Sequence, residues 1–283
     1  MMSFGVSTWL WESPFQNETL KHFEKIKKMG FDCVEIPVED TGLIDISKVA
    51  EALKEFELKP IVCGAFGPTR DLTHEDPKVH EICFQYLREC FEICNGLGAD
   101  FLAGPMYSAV GKARILSEEG RRKEWDLAVS NLQKVCGMAN DFGVSLAIEP
   151  LNRFESDLVN TAEDVVRLVE DINHPRAGIL LDSFHMTIEE KDLKDAILKA
   201  GKKLIHVQVS ENHRGIPGTG LTPWENFRDG LWEINYQGIV SIESFTPNVK
   251  ELAGAVCIWK TMAKDQDTFA REGLHFLKKL FNR

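Results

Sequence analysis

Eight short apolar runs alternate strictly with longer amphipathic segments, and this alternation constrains the 283-residue chain more than any other feature. The runs are Phe4–Thr8, Cys33–Val38, Pro60–Cys63, Phe101–Ala103, Val144–Ile148, Ala177–Leu181, Leu204–Val209 and Ile239–Ile242. Near-continuous apolar runs of this length fit strands covered on both faces of a sheet. Between them, apolar residues recur at helical spacing: Phe23, Ile26 and Met29 in the segment Asn17–Met29, then Val49, Leu53 and Phe56. Longer helices are expected over Pro77–Leu97, stopped by Gly98, and over Ser117–Phe142, closed by Gly143. Thr161 caps another, with Glu163 and Asp164 in its first turn, where the helix dipole favours acids. A final helix is expected over Thr268–Phe281.

Strands alternating with helices imply a parallel sheet with helical crossovers. Eight units in a chain of this size imply a closed (β/α)8 TIM barrel, with residues 1–283 as one domain. An open doubly wound sheet is the structural alternative. No Gly-x-Gly-x-x-Gly follows the first run, so no dinucleotide site is signalled.

The net charge of −11 argues against a nucleic-acid surface, since phosphate binding needs a basic face. No stretch is apolar enough to span a bilayer, and Met1–Gly5 carries no basic residue of a secretory leader. The seven cysteines form no Cys-x-x-Cys pair; Cys83, Cys90 and Cys94 fall at helical spacing, as packing residues do. A reducing cytoplasm with free thiols is expected.

In a barrel of this kind the site lies at the C-terminal ends of the strands. The fifth run ends at Glu149, followed by Pro150, which cannot donate to a sheet ladder. The sixth ends at Asp182, with His185 three residues on; the seventh carries His206 and Gln208 in phase; the eighth ends at Glu243. A lone strand-end carboxylate is ordinarily a cap or an ion-pair partner. Four such positions, one per barrel unit, are another matter. Three carboxylates meeting at one point repel one another, and a divalent cation removes the difficulty. Oxygen-rich ligation suits Mn2+ or Mg2+, with Co2+ also possible. Glu149, Asp182, Gln208 and Glu243 are therefore the expected metal ligands. His206 is the alternative to Gln208, which is preferred because it lies nearer the strand's C-terminal end.

The motifs Glu149-Pro-Leu-Asn-Arg-Phe-Glu155, Leu181-Asp-Ser-Phe-His-Met186, Ser210-Glu-Asn-His-Arg-Gly215 and Gly218-Thr-Gly-Leu-Thr-Pro-Trp224 run through this half of the chain. Together they resemble the ketose 3-epimerases (D-tagatose/D-psicose type) of the xylose-isomerase-like barrels. The resemblance implies metal ligation by Glu149, Asp182, the Gln208 position and Glu243. It also implies sugar contacts from Glu155, His185 and Arg214, and a homodimer or homotetramer. One departure stands out: those epimerases usually carry histidine where this chain has Gln208, whereas the related hydroxypyruvate isomerases carry glutamine.

Epimerising C3 of a ketose requires a base on one face of the carbon and an acid on the other, and Glu149 and Glu243 are the expected pair. The intermediate would be a cis-enediolate. Glu155 is expected to hold the first carboxylate or a terminal hydroxyl; Arg214 and His185 to bind O1 to O3; Trp11 and Phe245 to cover the sugar's apolar faces. A 1,2 aldose–ketose isomerase of the hydroxypyruvate isomerase kind, or an enzyme of 3-keto sugar derivatives, are the alternatives. The long connection Ser244–Gln266 is expected either to fold over the mouth or to pack in an oligomer interface.

Overall fold

The computed structural model describes residues 2–282. Eight parallel strands, β1 (Ser3–Ser7), β2 (Cys33–Val38), β3 (Lys59–Gly64), β4 (Phe101–Gly104), β5 (Ser145–Ile148), β6 (Ala177–Asp182), β7 (Leu204–Val209) and β8 (Ile239–Ile242), pair in sequence order. β1 closes the ring on β8 through pairs such as Val6 with Ile242. This is the (β/α)8 barrel that the alternation implied.

The core has two parts. Most buried apolar residues lie between the strands and the surrounding helices, among them Phe23, Leu87, Phe91, Leu132, Phe227 and Phe269. Cys83, Cys90 and Cys94 belong to it, each fully buried. A smaller cluster of Cys33, Ile61, Cys63, Ala103, Ala147 and Leu180 comes from five different strands and fills the barrel interior. Contacts across the ring identify the inner face: the Phe101 ring of β4 lies 4.9 Å from the His206 ring of β7.

Helix Pro77–Leu97 has the expected limits; Asp76 caps it and Gly98, at φ 75°, closes it. The Thr161 cap is reciprocal, because Asp164 accepts from the Thr161 backbone N–H in return. Two helix starts differ from the sequence expectation, and one connection holds helices it did not specify. The segment from Asn17 opens as a 3-10 helix to His22 and becomes α-helical only over Phe23–Met29. Two short helices, Ser183–Glu189 and Leu193–Ala200, follow β6, where a polar break at Lys191-Asp192 restarts the chain with Asp192 as cap. The last helix runs Gln266–Leu280, because Asp265 accepts from Thr268 N–H and so starts it two residues earlier. Among the described residues, no helix is long and apolar enough to cross a membrane.

Candidate active site

Side chains on a strand alternate between faces, so a residue two positions beyond an interior residue also points inward. Ala147 and Leu180 lie in the interior cluster; Glu149 and Asp182 follow them in phase. Gln208 pairs in register with Asp182 and with Ser241, and Glu243 follows Ser241 in phase. The strand-end residues are thus carried to the same end of the barrel, and all four are buried.

A cavity of about 320 Å³ opens there. Glu149, Glu155, His185, Gln208, Arg214 and Glu243 line it, with Trp9, Phe66 and Phe245 as aromatic walls. The connection after β8 folds over it: its helix Lys250–Ala255 contributes Leu252 and Ala255, and Val256 follows. A larger cavity, about 730 Å³, lies at the opposite end of the barrel beside Phe4, Asp32 and Tyr236. It holds none of the strand-end carboxylates, and sites in this fold form at the other end.

The polar groups of the site are bound to one another. Arg214 Nη1 donates to Asp182 Oδ2 at 2.5 Å and to Glu243 Oε2 at 3.0 Å. Gln208 Nε2 donates to Glu243 Oε1 at 3.1 Å and to Glu35 Oε1 at 2.8 Å. His185 Nδ1 accepts from the Asn152 backbone N–H at 3.0 Å and faces the Asn152 side-chain amide at 2.9 Å. His185 Nε2 lies 3.1 Å from Arg214 Nη2, which can only donate, and 3.5 Å from Glu149 Oε1. Asn152 Nδ2 also donates to Glu155 Oε1 at 2.7 Å, so one asparagine sets both His185 and Glu155.

Burial pushes the Glu149 carboxyl well above the usual carboxylate range, and the neighbouring Glu243 and Asp182 charges push it further. Burial raises Glu243 too, against the pull of the Arg214 guanidinium. His185 is lowered to about 3 by burial and by the Arg214 charge, so its ring is neutral at working pH. Burial works against the Arg214 charge, but Asp182 and Glu243 outweigh it and hold the guanidinium protonated.

The donor set fits a divalent cation. Glu149, Asp182 and His185 each offer one ligand atom, all within 4.8 Å of one another. Gln208 Oε1 is buried and, among the described residues, without a hydrogen-bond partner, an expensive position for an amide oxygen unless something electropositive meets it. Oxygen donors with one imidazole suit Mn2+, Mg2+ or Co2+.

Two aromatic and histidine positions lie elsewhere than the strand pattern suggests. Trp11 does not line the cavity. Its Nε1 donates to Asp267 at 2.7 Å, its ring stacks on His22 and Lys25 Nζ sits 4.7 Å above it. The chain leaves extended conformation at Thr8 and turns through the 3-10 helix Thr8–Leu10, so Trp9 and Trp11 do not share a face. Trp9 is the tryptophan in the cavity, held by Glu39 Oε1 at 2.6 Å and packed 5.5 Å from Phe245. His206 stays below the cavity, its Nε2 3.3 Å from Glu35 Oε2. Glu35 and Asn152 were not among the expected site residues. Glu35 carried a signal, a carboxylate inside the fully buried run Cys33–Val38.

A closed (β/α)8 barrel with a carboxylate-lined cavity at the C-terminal ends of its strands has the architecture of a barrel enzyme. The chain belongs to the Xylose isomerase-like TIM barrel family, which it matches over residues 23–280. It is 30% identical over 257 residues to an L-ribulose 3-epimerase of Methylomonas sp., covering 90% of this chain and 88% of that protein. It is also 30% identical over 280 residues to a ketose 3-epimerase of Arthrobacter globiformis, covering 98% and 96%. Among solved structures, a D-allulose 3-epimerase of Methylomonas sp. in complex with D-allulose superposes with a TM-score of 0.93 at 28% identity, covering 98% and 96%. The resemblance carried by the four motifs and these relatives agree.

Proposed function

We propose that the chain, acting as one domain, is a metal-dependent epimerase that inverts C3 of a ketose through an enediolate of the substrate. The observation that carries this reading is the pair Glu149 and Glu243. They follow β5 and β8, line one cavity, and are both buried with raised pKa values. A carboxylate whose pKa is raised above the ordinary range can take a proton from carbon and return one. Groups from non-adjacent strands can address opposite faces of a bound sugar. Arg214 and His185 are placed to bind sugar oxygens, and the Arg214 guanidinium favours the negative charge that develops as the C3 proton leaves. Glu155, anchored by Asn152, offers its carboxylate to a sugar hydroxyl. Trp9 and Phe245 supply apolar surface, and Leu252, Ala255 and Val256 exclude water.

A divalent cation here would be held by Glu149, Asp182, Gln208 and Glu243, and would supply Lewis acidity that stabilises negative charge on the substrate's oxygens. We assign it as Mn2+. His185 is a further donor beside Glu149 and Asp182, and its contacts to Asn152 and Arg214 favour the sugar-binding role. Free cysteines suit a cytoplasmic setting, and the family resemblance supports a homodimer or homotetramer.

Gln208, the residue type of the hydroxypyruvate isomerases, favours a second reading, proton transfer between C1 and C2. Incubation of ketohexoses with the Mn2+-loaded protein in D2O separates the two. Deuterium at C3 with formation of the C3 epimer is expected; deuterium at C1 alone would falsify the epimerase reading.

A further inference from the structure

Glu35 is completely buried in the middle of β2, three strands around the barrel from β7. A buried carboxylate is costly unless it is bound on all sides. The positions around it show that apolar or thiol side chains fill this interior readily: Cys33, Ile61, Cys63 and Leu180 do so. Glu35 instead spans the barrel. Its Oε1 accepts from Gln208 Nε2 at 2.8 Å, and its Oε2 faces His206 Nε2 at 3.3 Å.

The consequence falls on Gln208. An amide has two ends of nearly equal size, and either end can in principle face the site. Here Nε2 is held between two carboxylates, Glu35 and Glu243. Turning the amide over would set its oxygen against both. Oε1 is left as the end without a partner. A histidine offers a ligand nitrogen on a rigid ring; a glutamine is a flexible, weaker ligand and needs a partner to orient it.

We infer that Glu35 is a positioning residue of the metal centre, fixing the Gln208 amide so that Oε1 is presented to the cation. This rests on the metal reading given above. The test is Mn2+ binding by isothermal titration calorimetry on the chelator-stripped full chain, which reads affinity without activity. Glu35→Gln is expected to weaken Mn2+ binding about 10- to 100-fold, the usual cost of losing a group that orients a ligand. Removing a buried charge would also weaken binding by Coulomb attraction alone, so the same change is made on a Gln208→Leu background. Positioning predicts that the effect of Glu35→Gln there shrinks to less than about threefold, because there is no amide left to orient. An equal loss on both backgrounds, or wild-type affinity in Glu35→Gln, overturns the inference. Glu35→Asp keeps the charge and withdraws the carboxylate by one methylene; it is expected to weaken Mn2+ binding too, and wild-type affinity there also overturns the inference. This arm decides the matter if Glu35→Gln fails to fold. Glu149→Ala separates the two levels: Mn2+ binding that ignores Glu149→Ala sinks the metal reading itself. Binding that needs Glu149 but ignores Glu35 sinks this inference alone.

Discussion

Arg214 reaches Asp182 at 2.5 Å, yet the two residues belong to different barrel units. The contact is made by backbone geometry. Arg214 sits at φ 61°, a left-handed conformation unusual for an arginine, and Ser244 Oγ donates to its carbonyl at 2.7 Å. The turn is closed by Arg214 N–H donating to Glu211 O at 2.8 Å and Glu211 N–H to Gly215 O at 3.0 Å. The guanidinium is thereby turned onto Asp182 and Glu243. Arg214→Met should lower kcat/KM by about 10³-fold. It should also destabilise the chelated protein by on the order of 3 kcal/mol, since two buried carboxylates lose their shared cation. Thermal denaturation with EDTA and with Mn2+ checks the second part, because bound Mn2+ should recover much of the loss. An unchanged melting temperature in EDTA would count against it.

The loop that presents Arg214 depends on Glu211. Its Oε1 accepts from Asn212 N–H at 3.0 Å and Thr222 N–H at 2.7 Å; its Oε2 accepts from Gly218 N–H at 2.8 Å and Trp224 Nε1 at 2.9 Å. Burial alone would raise this carboxyl, but the hydrogen bonds from Thr222 and Trp224 outweigh burial and hold it below the usual range. A depressed folded pKa contributes stability that is present above the unfolded value and lost as pH falls through the folded one. The wild type should therefore lose stability on acidification below about pH 4.5, and Glu211→Gln should lack this contribution. At neutral pH Glu211→Gln should cost about 2 kcal/mol, because an amide cannot accept from all four donors. Urea unfolding at several pH values measures both; parallel pH curves for the two proteins would refute the assignment.

These contacts show what the sequence made legible. Glu149, Asp182 and Glu243 could be found because a carboxylate closing an apolar run is a local signal, and the barrel rule says where strand ends go. Glu35 carries the same chemistry, but it lies inside its run with no turn beside it, and its partner Gln208 is 173 residues away. Asn152 lies within the opening motif, yet its task of holding His185 is visible only once two loops are brought together. Trp9 rather than Trp11 enters the cavity because the chain turns at Thr8–Leu10, a break that the apolar pattern of the first run does not show. The periodicity supplied the faces; the cross-barrel partners came only with closure of the ring.

The raised carboxylates give the protein a pH dependence whose sign can be worked out. Glu149 and Glu243 have folded pKa values above the unfolded carboxylate value. Their contribution to stability is fully present below the unfolded value and is lost as pH rises through the folded ones. His185 acts oppositely: its folded pKa of about 3 contributes stability above the unfolded value of 6.5 that is lost as pH falls. A cation needs the carboxylates deprotonated, so it competes with protons for them. The rise in melting temperature on adding Mn2+ should therefore be larger near pH ~8 than near pH ~6. Scanning fluorimetry with EDTA and with Mn2+ across this range gives the result. A shift that is the same at both pH values would mean that Glu149 and Glu243 do not meet the metal.

Gln208→His tests the position at which this chain departs from the epimerases it resembles. Imidazole is a stronger ligand than an amide oxygen toward the later first-row metals and adds little for Mg2+. The substituted ring keeps the site's formal charge. Its second nitrogen lies on the side where Glu35 already accepts from Gln208 Nε2 at 2.8 Å, so an orienting partner is in place. The variant should bind Co2+ at least about tenfold more tightly than the wild type while Mg2+ affinity changes less than about threefold. Epimerase activity at saturating Mn2+ should stay within about tenfold, because Glu149, Glu243 and Arg214 are untouched. Competition titration with the two metals reads the selectivity directly. If the Co2+ and Mg2+ affinities move together, or not at all, the side chain at 208 is not a ligand, and the buried Oε1 requires another explanation.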